Sequence, residues 1–227
     1  MAPHPHEESP VNPIPAVVAL LFLAVFLPEI AFTLGARGLI GGADAVGWRL
    51  AAIRDYAFSA DVFRWMLGNG RFPPEHLLRF VTYPFVHGAF TTALFAGVML
   101  LALGKFVGEI LRPVAVLVLF FVASIAGALA HGAVMVAQPW LMGAFPGVYG
   151  LIGGFTFLLW VRLTGSGREA AAFSLIGILL GLQLLFGLLF GTDGMWLAEI
   201  TGFVTGFLLT FLLVPGGWAR VLDRIRR

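Results

Sequence analysis

Cysteine is absent from the 227-residue chain. Neither a disulfide framework nor a cysteine-ligated metal site is therefore available, though this does not fix the compartment. Charge is also scarce, with 11% charged residues against 59% hydrophobic ones. A soluble domain of this size could not cover so apolar a chain, whose mean hydropathy is +0.95, so its main solvent is lipid. Net charge is only +2, and no nucleic-acid partner is expected. The first residues, Met1 to Pro13, hold two Glu and no Lys or Arg, so the basic n-region of a secretory signal is missing. The first apolar stretch is accordingly expected to be a retained span. His4 and His6 could hold a metal weakly, but a plain polar tail is the better reading, and no metal or cofactor is expected.

What the chain does have is long apolar runs and 29 glycines, the latter normal where helices pack closely in a bilayer. A helix needs about 20 apolar residues to cross ~30 Å of hydrocarbon. On that basis the sequence predicts an all-α membrane protein with six transmembrane helices, at 15–34, 84–104, 113–137, 146–163, 170–190 and 195–214. A polar tail (1–14) precedes the membrane domain (15–214) and a basic tail (215–227) follows it. The connection 35–83 is the one long loop.

Lys and Arg in short loops orient the chain. Lys105 and Arg112, Arg162 and Arg168, and the tail residues Arg220, Arg224, Arg226 and Arg227 all fall on one side. The intervening loops near 138–145 and 191–194 contain neither residue type. Both termini are thus expected in the cytoplasm, with a bacterial inner membrane as the setting. Arg37, Arg49, Arg54, Arg64, Arg71 and Arg79 in the long outer loop cut against this, but long loops weigh less in the rule. Within that loop Val46, Leu50, Ile53 and Ala57, then Val62, Phe63, Met66 and Leu67, recur near helical spacing. They predict amphipathic helices at the interface or a small cap on the bundle. Trp48, Trp65, Trp140 and Trp196 fall near outer boundaries, as in an aromatic belt.

Polar residues inside a membrane are costly and are functional candidates by default. They are Glu29, Thr91, Thr92, Ser124, His131, Tyr149, Gln183, Glu199, Thr201 and Thr205. Glu29 is expected to snorkel to water. Ser124 and His131 share a helix face about 10 Å apart, which suits hydrogen bonding between helices better than a catalytic pair. Gln183 is read in the same packing role. Tyr149 and Glu199 should lie at one depth near the outer surface. Flanking them are Gly147, Gly150, Gly153 and Gly154, and Gly202 and Gly206, whose three- and four-residue spacing lets helix backbones approach. The fourth and sixth spans are therefore expected to be neighbours, with the Tyr149 phenol within hydrogen-bond reach of the Glu199 carboxylate, directly or through one water, and no Ser or His nearby.

Four segments carry a resemblance. Arg79-Phe80-Val81-Thr82 with Phe85-Val86-His87-Gly88-Ala89-Phe90, Gly104 to Glu109, Gly147-Val148-Tyr149-Gly150, and Ala198-Glu199-Ile200-Thr201-Gly202 continuing to Gly206 are similar, in order and spacing, to the motifs of the rhomboid intramembrane serine proteases. The resemblance implies structural roles for Arg79, His87 and Glu109. It also implies that Tyr149 stands at the nucleophilic serine, Glu199 at the histidine base, and Thr92 and Ala96 at the oxyanion-binding positions. A serine hydrolase needs a nucleophile activated by an adjacent base, and a carboxylate beside a phenol opposes formation of the phenolate. An oxyanion donor contributes roughly 3–4 kcal/mol in other hydrolases, and Ala96 has none to offer. The resemblance with these four departures implies a pseudoprotease that binds lipids and other transmembrane proteins as an adaptor, chaperone or accessory subunit. The alternatives are an active intramembrane endopeptidase and, third, a transporter using Glu199, although the internal repeat typical of transporters is not seen. Thr164-Gly165-Ser166-Gly167 has the look of a nucleophile motif but reads as a linker.

Overall fold

The computed structural model describes residues 12–136, 139–190 and 194–214. Most of the N-terminal tail, with His4 and His6, and the basic tail lie outside the described residues, as does the side chain of Gln183.

Among the described residues, five helices are long and apolar enough to cross a membrane. They are α1 (Ala16–Ala36), α5 (Phe90–Ile110), α6 (Pro113–Val134), α7 (Phe145–Leu163) and α9 (Trp196–Leu213). The stretch expected as a sixth span, 170–190, is realised differently. A 3-10 turn over Glu169–Phe173 takes up its start, leaving α8 (Ser174–Phe190) with 17 residues. At 1.5 Å per residue that is about 26 Å, at the lower end of what crosses the ~30 Å hydrocarbon core. The second span also starts later than 84–104 implied. Tyr83–Phe85 form a 3-10 turn around Pro84, and Val86 and Ala89 are extended, so regular helix begins only at Phe90.

The spans assemble around α7, 61% of whose apolar window is buried against 28% for α1 and α9. Glycine sets the closeness of this packing. A Cβ on Gly202 would strike the Pro146 carbonyl, one on Gly206 the Gly150 carbonyl, and one on Gly153 the Phe203 carbonyl. The α7 and α9 backbones therefore touch. Gly147 and Gly150 serve a second neighbour, facing Phe120 and Ala123 of α6, while Gly154 lies beside Thr210 of α9 and Leu119 of α6. On the far side, Gly97 and Gly104 of α5 admit Phe22 and Val18 of α1.

The long connection folds into three short helices, α2 (Trp48–Tyr56), α3 (Ala60–Asn69) and α4 (Pro74–Thr82), capping one end of the bundle. Two-residue strands β1 (Phe58–Ser59) and β2 (Trp140–Leu141) pair antiparallel and fasten the cap to the α6–α7 loop. Phe58 anchors it, packed among Phe63, Phe80, Tyr83 and His131. Arg64 donates to the carbonyls of Gly132 (3.1 Å) and Met135 (3.0 Å) at the end of α6, where orphan carbonyls and the helix dipole favour a cation. Arg79 donates to the Ala57 carbonyl at 2.9 Å. The cap is thus packed on the bundle through β1, yet α2 buries none of its own residues and Leu50 is 72% exposed. Glu109 is exposed near the C-terminal end of α5.

Candidate functional site

At the capped end, Gly143 in the left-handed region (φ 94°) turns the chain into α7. Pro146 then occupies the first turn, where its missing amide proton costs nothing. Tyr149 follows on α7, and Glu199 occupies the first turn of α9. Because Pro146 meets Gly202 and Gly150 meets Gly206 at backbone distance, these two side chains are held at the same depth. They line a cavity of about 350 Å³ together with His87, Gly88, Thr92, Met142, Phe145 and Met195. Both are nearly buried, at 5% and 7% exposure. Thr92 reaches the cavity, whereas Ala96, one turn on, is fully buried in the apolar core and is not among the lining residues.

His87 shapes one wall of the same cavity, which corrects the expectation that no His stands near Tyr149. Its Nε2 accepts the Ala144 amide at 3.2 Å, which commits the ring's lone pair and assigns the proton to Nδ1. Burial pushes its pKa down to about 4, with Arg49 adding to the effect and Glu29 opposing it. The imidazole is therefore neutral at pH 7 and has no lone pair to spare for a substrate proton.

Glu29 corrects the expectation of snorkelling. It is 1% exposed and held by both Arg49 nitrogens, one bond measuring 2.7 Å, with Thr33 donating to it at 3.2 Å. A cap arginine reaches inward and compensates the carboxylate inside the bundle, so the side chain need not reach water. Arg49 also donates to the His87 carbonyl at 2.9 Å. One chain of contacts thus links α1, α2, the segment before α5 and the start of α7.

The remaining candidates lie elsewhere. Ser124 donates to the Phe120 carbonyl at 2.8 Å within its own helix, and its carbonyl accepts the Tyr83 hydroxyl at 2.7 Å. His131 is fully buried and meets Phe58 edge-on. Thr201 donates to the Leu197 carbonyl. Ser166 closes a turn onto the Leu163 carbonyl at the opposite end of the bundle from the cavity. Sequence reasoning did not single out Met142, Phe145 and Met195, which wall the cavity, or Arg49 and Tyr83, which brace it. Only Tyr83 carried a signal, being an aromatic polar residue between the matched pieces Arg79–Thr82 and Phe85–Phe90.

These features define a polytopic helical membrane protein with a small, partly polar cleft under a cap at one end. Residues 74–216 match the Rhomboid domain, more than half of the chain. The protein belongs to the rhomboid family, whose members are typically intramembrane serine proteases. None of the curated proteins matches the sequence.

Proposed function

We propose that this rhomboid-family protein binds transmembrane partners without cleaving them, as an adaptor, chaperone or accessory subunit of a membrane complex. The observation that carries the reading is the composition of the cleft, where Tyr149 and Glu199 occupy the positions that resemble the family's nucleophile and base. The nearby imidazole is already committed to Ala144. Ala96 supplies no oxyanion donor. In this proposal the protein resides in a bacterial inner membrane, with both termini in the cytoplasm and the cap outside.

The test is twofold. The purified chain in lipid bilayers is incubated with a panel of single-span helices, and intact masses are measured. No cleavage is expected. Affinity purification from native membranes is expected to recover a defined membrane partner at fixed stoichiometry. Cleavage that disappears in Tyr149→Phe or Glu199→Gln would instead establish an endopeptidase with unusual residues and overturn the proposal.

A further inference from the structure

The hydroxyls of the cleft select what part of a partner it holds, an inference that rests on the partner-binding reading. Thr92 of α5 and Tyr149 of α7 both line the cleft, and neither hydroxyl makes a hydrogen bond with a described residue. Tyr149 is only 5% exposed, so the bonding capacity of its phenol is left for an occupant of the cleft. Other hydroxyls of the bundle behave differently. Ser124, Thr201 and Thr210 each donate to the carbonyl four residues back in their own helix. We propose that the cleft receives a primary carboxamide, the side chain of a Gln or Asn near the cap-side end of a partner's transmembrane helix. A hydroxyl has one donor and two acceptor sites, and a carboxamide has two donors and a carbonyl acceptor. Thr92 and Tyr149 together can therefore donate to the carbonyl and accept from the amide N–H at once. A partner's Ser or Thr has no need of the cleft, because its hydroxyl is satisfied on its own helix, as those of Ser124, Thr201 and Thr210 are. A backbone carbonyl is likewise occupied unless the partner helix unwinds. An ammonium would have to draw on Glu199, which is already engaged, and a second carboxylate would be repelled by it. At about 350 Å³ the cleft stands near the small end of ligand sites, roughly 300–1,000 Å³, which suits one side chain rather than a whole helix. Met142 and Phe145 supply apolar walls for its methylenes.

The test uses the full chain in phosphatidylcholine nanodiscs. The probes are synthetic leucine–alanine transmembrane helices carrying one Gln in the cap-side turn, or Leu, Ser or Lys at the same position. The Gln helix is expected to bind about tenfold more tightly than the Leu helix, the scale of two neutral hydrogen bonds within a membrane. The Ser helix is expected to bind like the Leu helix. Tyr149→Phe and Thr92→Val should each lower the Gln-over-Leu ratio to about threefold, and the double variant should bring it to about one. The chain has three tyrosines, and with 13Cζ-labelled tyrosine the signal lost in Tyr149→Phe identifies Tyr149. In the unmutated chain that signal should shift on adding the Gln helix. The signal of the buried Tyr83 should stay fixed in every variant, which reports that the variants are folded. Equal binding of the Gln and Leu helices, binding of no probe, a preference for Lys over Gln, or a Gln preference that survives the double variant would overturn the inference. Each of these leaves the partner-binding reading standing, whereas a cleaved probe helix overturns that reading itself.

Discussion

Arg49 and Glu29 form an ion pair in which the two members stand in different environments, the carboxylate at 1% exposure and the guanidinium at 21%. Removing the arginine strands a buried charge, whereas removing the acid leaves a cation with some access to water. Arg49→Ala is therefore expected to destabilise the fold by about 3 kcal/mol, read from denaturant titration in mixed micelles. Glu29→Leu combined with Arg49→Leu should cost less than Arg49→Ala alone, because no charge is then buried unpaired. His87 sets a pH dependence whose sign follows from its depressed pKa. Falling pH protonates the unfolded chain first, near the ordinary value of about 6.5, while the folded imidazole resists protonation until about 4. The contribution is fully present above about pH 6.5 and is lost as pH falls toward 4. Apparent Tm across that window should decline, and His87→Gln, which keeps an acceptor for Ala144, should flatten the decline.

At the scale of helices, α7 and α9 depend on glycine in a way that α8 does not. Gly206 and Gly202 lie against carbonyl groups of α7, which cannot give way as a flexible side chain would. Gly206→Leu is expected to force the two helices apart, with loss of the folded monomer in size-exclusion chromatography and collapse of thermal stability. Gly177 and Gly181 of α8 have nothing within 4 Å of an added Cβ. Gly177→Ala and Gly181→Ala should accordingly leave stability unchanged or slightly raised, since alanine favours helix over glycine by up to about 1 kcal/mol. The glycine spacing on α7 and α9 pointed to close contact between these helices from sequence alone. It did not reveal that Gly147 and Gly150 also face α6, because the spacing along one helix does not say which neighbour covers each face.

For the molecule as a whole, the absence of cysteine makes the proposed orientation directly measurable. Single cysteines at Arg71 in the cap and at Ser166 in the α7–α8 turn give accessibility probes on a clean background. A membrane-impermeant maleimide is expected to label Arg71→Cys in intact cells, and Ser166→Cys only after permeabilisation. The reverse pattern would invert the proposed orientation.

The sequence by itself determined that the chain lives in lipid, because its apolar runs leave no other way to satisfy their side chains and backbone. It also determined the rhomboid resemblance, since short motifs in a fixed order survive in one dimension. Tertiary structure alone decided where the isolated polar groups go. Glu29 is paired because Arg49 returns to it across 20 positions, and His87 holds Ala144 across 57, separations with no periodicity to read. Tyr149 and Glu199 were visible as anomalies in apolar helices. That they share one cleft with Thr92 and not with Ala96 was settled by how α5, α7 and α9 pack.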